Sequence, residues 1–188
     1  MPAPLLERQL LWIFWILLIN MGCLAQAQQN PHQITTLDKN QAIELVTTFN
    51  RPYLDLSKLV AVDQDVAREL AKWQGDDLNL QGLSSIDLDV ANELINFNND
   101  YLGLSGVEKI DTEVAQILAS YNGKYLGLSG LITIDKEVAS ELAEFQGCIL
   151  YLYGLKFKNQ KSLKDVLPIL KSNRAIFLPK QLRDFQLP

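Results

Sequence analysis

A chain of 188 residues with an ordinary apolar share holds one modest domain with a continuous core, and nothing in its composition suggests disorder or a second large domain. The net charge of −5 hides a division, since residues 28–147 carry 8 Lys/Arg against 19 Asp/Glu, whereas residues 148–188 carry 8 against 2. So acidic a body argues against nucleic acid as a partner, because neutralising phosphates needs a positive surface.

Residues 1–27 read as an export signal. Arg8 precedes an unbroken apolar run over 10–19, and the small-residue site Ala25-Gln26-Ala27 places cleavage before Gln28. Two alternatives stand beside that reading. In one the segment stays as a membrane anchor, although ten unbroken apolar residues fall short of the roughly 20 that span a bilayer. In the other Cys23 carries a lipid, since it follows Gly22 as the modified cysteine of bacterial lipoproteins follows a small residue. The expected location is therefore secreted, periplasmic or at the cell surface, with membrane contact only through such an anchor or lipid. Cleavage before Gln28 leaves one cysteine, Cys148, which forms no internal disulfide and reads as a partly buried small residue at a strand start.

Residues 28–51 comprise a polar leader, which holds the single histidine, His32, and a helical half-repeat. Its Ala42, Val46 and Phe49 stand 24 residues before Val66, Leu70 and Trp73. Such a half-unit covers the apolar end that an array would otherwise expose. From 52 to 158 one phrase recurs at a fixed step of 24. Its Leu-x-Leu appears as Leu54/Leu56, Leu78/Leu80, Leu102/Leu104 and Leu126/Leu128, and a fifth time as Leu150/Leu152. A fixed period of that size marks a solenoid of stacked supersecondary units. Each unit opens with period-two alternation, which predicts a strand with its leucines inward, and continues into a helix.

Asp63, Asp87, Asp111 and Asp135 stand where an N-cap oxygen accepts backbone N–H bonds, and Val66/Leu70/Trp73 with their equivalents supply the buried helix face. The helices end at Gly75, Asn99, Gly123 and Gly147, the two residue types that a left-handed C-terminal cap favours. Residues 159–188 read as a C-terminal cap. Pro168 falls inside the expected helix there and should break or displace it, while Ala175-Ile176-Phe177-Leu178 reads as a last strand.

The phrase Leu-x-Leu-x-x-Leu-x-x-Ile-Asp-x-Glu-Val-Ala-x-x-Leu-Ala resembles leucine-rich repeats, most of all the 24-residue bacterial kind related to the ribonuclease-inhibitor and GALA types. The resemblance implies an α/β fold, a leucine-rich-repeat solenoid with a parallel sheet on the concave face and helices on the convex face, and protein binding as the common activity. One departure matters. Where the family carries Asn or Cys after the second strand leucine, this chain has Leu59, Leu83, Val107, Leu131 and Leu155, so the turn must be held differently. Gly82, Gly106, Gly130 and Gly154 just before are the candidates, although Lys58 occupies the same column in the first repeat.

The pattern assigns no catalytic residue, no metal ligand and no cofactor. Cys148 has no histidine partner, and no spacing suits zinc or a phosphate-binding loop. The Asp/Glu columns already have a helical reason at N-cap and first-turn positions. The outward strand positions are more informative. Stacking the repeats aligns Tyr53, Asp77, Tyr101, Tyr125 and Ile149, then Asp55, Asn79, Gly103, Gly127 and Tyr151, then Ser57, Gln81, Ser105, Ser129 and Tyr153. The candidate ligand-binding residues are Tyr53, Asp77, Tyr101, Tyr125, Tyr151 and Tyr153, on a shallow face with aromatic anchors and little charge. On this reading the chain is a non-catalytic exported recognition module for a protein or peptide. The alternatives are a polysaccharide-binding module and a structural cell-envelope protein that associates head to tail through its acidic body and basic cap. A contrary reading of the tyrosines, in which each only covers its neighbour's strand, stays open. The register itself is testable. Leu104→Ala should open a central cavity and cost about 2–5 kcal/mol, read from the chemical-denaturation midpoint, and an unchanged midpoint would refute the inward placement of that leucine.

Overall fold

The computed structural model describes residues 30–185, so residues 1–27, expected to be an export signal, and with them Cys23, lie outside the described residues. Six parallel strands form one open sheet in chain order, namely β1 (Tyr53–Asp55), β2 (Asp77–Asn79), β3 (Tyr101–Gly103), β4 (Tyr125–Gly127), β5 (Ile149–Tyr151) and β6 (Ile176–Phe177). Seven helices accompany them among the described residues. Helix α1 (Lys39–Thr48) precedes the sheet; α2 (Gln64–Leu70), α3 (Leu88–Leu94), α4 (Thr112–Ala119), α5 (Lys136–Leu142) and α6 (Gln160–Ser172) connect successive strands; α7 (Lys180–Arg183) follows β6. No helix among the described residues is long and apolar enough to cross a membrane.

The strand register is the sequence period in physical form. Leu54, Leu78, Leu102, Leu126 and Leu150 are successive partners across the sheet. The ladder runs on past each strand, where the Leu56 amide donates to the Asn79 carbonyl at 2.9 Å and Leu80, Leu104 and Leu128 repeat the bond. Both leucines of every pair are wholly buried. Opposite them lies the helix layer. Each of α2 to α5 starts at an aspartate whose Oδ1 accepts the amide three residues on at 2.8 Å. Ala67, Ala91, Ala115 and Ala139 are wholly buried, and their small side chains let neighbouring helices approach closely.

Helix α1 packs against α2 and is closed by a reciprocal cap between Asp38 and Gln41. Its N-cap lies 25 residues before Asp63, so buried Ala42 corresponds to Ala67, and the half-repeat is one residue out of step at its start. By Phe49 the step of 24 is restored, and an aromatic row begins. The Trp73 ring lies 6.4 Å from Phe49 and stacks on Phe97 at 6.1 Å, while its indole N–H donates to the Phe49 carbonyl at 3.2 Å. Tyr121 and Phe145 extend the row, and the Tyr121 hydroxyl donates to the Asn99 carbonyl at 2.9 Å. Burial holds that phenol well above the usual tyrosine range.

Two expectations are corrected here. No residue among those described has positive φ, so Gly75, Asn99, Gly123 and Gly147 are not left-handed caps. Space dictates the glycines instead. A side chain on Gly75 would enter the Trp73 ring, and one on Gly123 would collide with the Asn99 carbonyl and the Tyr121 ring. Asparagine is accepted at 99 because its side-chain amide donates to the preceding turn, to the carbonyls of Gly75 at 2.8 Å and Trp73 at 3.2 Å. Asn173 repeats this on Ala143 and Phe145, at 2.8 Å each.

The second correction concerns Pro168. Helix α6 runs through it unbroken for 13 residues. Pro168 is exposed, opposite buried Leu163, Val166, Leu167 and Leu170, so the carbonyl that it leaves unpaired faces solvent rather than core. Asn159 caps the helix in the aspartate column, with its side chain accepting the Ser162 amide at 2.8 Å. The longer helix delays the next strand, so Leu150 pairs with Ile176, 26 residues on.

The turn after each strand also acquires a physical account. A Cβ on Gly106 would lie 2.6 Å from the Leu83 carbonyl oxygen and closer still to that of Gln81; Gly82, Gly130 and Gly154 meet the backbone of the turn before them in the same way. Each turn therefore sits on the previous one, backbone on backbone. Beneath the first turn lies the leader, whose Thr35 carbonyl accepts the Val60 amide at 3.2 Å, and Lys58 keeps an exposed side chain in this column. Gly106→Ala should accordingly cost about 1–3 kcal/mol through overpacking, whereas Lys58→Ala should stay within about 0.5 kcal/mol. Urea midpoints of the two variants check this, and equal midpoints would refute the stacking account.

Candidate functional site on the outward face of the sheet

The pairing that buries the leucines also fixes the outward columns. Tyr53, Asp77, Tyr101, Tyr125 and Ile149 are consecutive partners, and Asp55, Asn79, Gly103, Gly127 and Tyr151 run beside them and end on Phe177. The six candidate residues thus share one face, but they stand in three different settings.

At the β1 end the face is bonded to itself. Asp55 accepts the Ser57 amide at 2.9 Å and the Asn79 side chain at 3.2 Å, and His32 Nδ1 lies 2.5 Å from its other oxygen. Asn79 also donates to the Tyr53 hydroxyl at 3.1 Å. Burial pushes the Asp55 carboxyl up, but the Ser57 bonds and the adjacent His32 outweigh it and hold the group below its ordinary value. His32 is therefore not the solitary side chain that its place in the leader implies. The one-turn helix Pro31–Gln33 sets it against β1 and within 3.3 Å of the Ser57 hydroxyl. Asp77 is half-buried, and burial with the nearby Asp76 and Asp100 raises its carboxyl above the ordinary value.

In the middle, Tyr101 covers the sheet. A Cβ on Gly103 would lie 2.8 Å from its ring, and one on Gly127 would lie 2.6 Å from its phenolic oxygen. The two glycines make room for this ring rather than leave bare sheet beside it. Burial raises the phenol above its ordinary value, opposed by a hydrogen bond with Ser105. For Tyr101, then, the covering role describes the geometry.

The β5 end differs. Tyr151 lies 5.6 Å from Tyr153 and meets Phe177 edge-on at 6.1 Å, with half-buried Tyr125 and Ile149 in the adjoining column. Tyr153 is 50% exposed. The hydroxyls of Tyr125, Tyr151 and Tyr153 have no hydrogen-bond partner among the described residues, in contrast to those of Tyr53, Tyr101 and Tyr121. Phe177 belongs to this cluster although the repeat does not announce it, since the step that leads to it is 26 rather than 24. Cys148 stands one residue before β5 and is exposed rather than partly buried, with its amide donating to the Lys124 carbonyl at 2.8 Å.

Among the described residues no group of three or more His, Cys, Asp or Glu side chains is placed to hold a metal ion. The aspartates at the helix starts each spend an oxygen on a backbone amide. Arranged this way, the face can seat an apolar or aromatic group at its β5 end and offer unpaired phenols to polar atoms around it. No protein-family model matches the chain, and no curated protein matches it significantly, so its own geometry carries the functional reading.

The Asp55 network has a pH signature. Because the folded carboxyl titrates below its ordinary 3.8, its stabilising contribution is complete above that value and is lost as pH falls through the lower folded value. Asp55→Asn should therefore be less stable than the parent at about pH 6, with the difference shrinking towards about pH 2. Urea midpoints across that range test this, and a constant difference would refute it.

Proposed function

We propose that this chain is an exported, non-catalytic recognition module of the leucine-rich-repeat kind. It takes a protein or peptide on the outward face of its sheet, the concave face of the solenoid on that reading. The observation that carries the proposal is the cluster in which the Tyr151 ring adjoins those of Tyr153 and Phe177, with Tyr125 in the neighbouring column, and in which the hydroxyls of the three tyrosines lack partners among the described residues. Rigid rings give contact area at low entropy cost, and free phenols give direction, which is why tyrosine is enriched where proteins recognise one another. The reading shifts the centre of the site towards β5. Tyr53 and Tyr101 are engaged with Asn79 and Ser105, and they serve as framework. Export is supported by Arg8, the apolar run over 10–19 and Ala25-Gln26-Ala27.

The test is retention of partners from cell-envelope and secreted fractions by the parent chain and by a Tyr125→Ser/Tyr151→Ser/Tyr153→Ser variant whose circular dichroism matches the parent's. A protein band reduced about tenfold or more by the substitutions is expected, equivalent to about 1.4 kcal/mol. Equal retention would overturn the proposed face. Retention of polysaccharide in place of protein would overturn the partner class.

A further inference from the structure

The aromatic cluster continues over the edge of the sheet into a groove. A cavity of about 510 Å³ opens between the turns after β4 and β5 and the segment that leads into α7, lined by Ile132, Tyr153, Leu155, Lys156, Pro179 and Leu182 among others. Its size falls within the usual range of ligand sites. Tyr153 belongs to both places, since one residue lines the groove and packs against Tyr151 on the face. Ile132 is 43% exposed, an apolar side chain left open beside the groove rather than packed into the core.

The charge around this groove is also unsatisfied. Of the eight Lys/Arg in the acidic body, Lys39, Arg68, Lys72 and Lys124 pair with a carboxylate, while Arg51, Lys58, Lys109 and Lys136 make no ion pair among the described residues but stand among 19 Asp/Glu. In residues 148–185 the eight Lys/Arg side chains are all exposed, and none makes an ion pair among the described residues. One of them, Lys156, lines the groove, and a second, Lys180, is the chain neighbour of Pro179 and Gln181, which line it. An apolar slot with cations that lack carboxylates asks for a ligand with an apolar side chain and carboxylates nearby.

We propose that the groove takes an acidic peptide segment, seating one aliphatic or aromatic side chain against Ile132, Leu155, Pro179 and Leu182 while its carboxylates meet Lys156 and Lys180. The inference rests on the proposed recognition face and specifies the partner that it takes. A polysaccharide or an anionic lipid surface would use the lysines but gives no reason for the apolar slot, whereas an acidic peptide uses both. Attraction from exposed lysines acts chiefly on encounter and is screened by salt, so binding should weaken steeply as ionic strength rises.

The experiment selects phage-displayed random 12-residue peptides on the immobilised full chain at about 50 mM salt, a concentration at which exposed charges are little screened. Recovered peptides should be net negative and carry at least one Leu, Ile, Phe or Trp. Synthetic copies should lose about tenfold or more in affinity to a Lys156→Glu/Lys180→Glu variant, and a similar factor to Ile132→Asp. Both changes are at exposed side chains, and a parent-like circular dichroism melt confirms that the variants fold. Recovery of neutral or basic peptides, or of none above blank support, would overturn the proposal. Peptides that lose affinity to Tyr125→Ser/Tyr151→Ser but not to Lys156→Glu/Lys180→Glu would overturn the groove and keep the sheet-face reading. Peptides indifferent to both sets would overturn both. Should the chain enrich no peptide and instead gain mass with concentration in a salt-sensitive way, a second copy's acidic body would replace the peptide as the occupant.

Discussion

The fold depends on one constraint, the contact of each turn's backbone with the backbone of the turn before it. Gly82, Gly106, Gly130 and Gly154 have no room for a Cβ because carbonyl oxygens of the preceding repeat occupy that space. Turns that touch so closely must arrive at the same point in each of these repeats. With the step of 24 shared from β1 to β5, this contact agrees with the register that pairs each leucine with its counterpart. A slip of one residue would turn the strand leucines outward and the strand tyrosines inward. The outward columns are thus aligned by the same contact that holds the repeats together.

What repeats was legible in the sequence, and what happens once was not. The leucine pairs, the aspartate caps and the outward columns each recur four or five times, and the structure places them where the pattern does. The glycines at 75, 123 and 147 were legible as positions but not in their cause. A glycine column says that a Cβ is not tolerated; it does not distinguish a demand for positive φ from a lack of space, and here the Trp73, Tyr121 and Phe145 rings and the neighbouring carbonyls fill the space. Pro168 was misjudged because only its missing donor was weighed, whereas the spacing of Leu163, Val166, Leu167 and Leu170 already marks the buried side of α6 and leaves Pro168 on the exposed one. His32 and Phe177 escaped for a shared reason. One stands before the period begins and the other after it slips to 26, so neither has a counterpart to mark its column.

The outward face divides into a part that is complete in itself and a part that is not. Around β1 to β3, Asp55, Asn79, Tyr53 and Tyr101 satisfy one another or Ser57, His32 and Ser105. A ligand placed there would have to break bonds already made, and it would recover little beyond what it displaced. Around β5 the phenols have no protein partner among the described residues, so a ligand's polar atoms displace only water. This asymmetry, rather than the number of tyrosines, locates the proposed site.

Charge follows the same division. In the body, four of the eight lysine and arginine side chains pair with carboxylates, and some of these pairs tie one repeat to the next, as Arg68 does by bonding Glu93 at 2.7 Å and Lys124 by bonding Asp100 at 2.7 Å. Such exposed pairs add little to stability, typically under about 1 kcal/mol each, but they remove those cations from competition for a ligand. From residue 148 on, the cations outnumber carboxylates by 8 to 2, and they sit on the last turn of the array and the cap that follows it. On the proposed reading, the net-negative body disfavours an acidic ligand along the array, and the net-positive end favours it where the Tyr153 groove opens. Discrimination then arises from repulsion along the array as much as from attraction at its end.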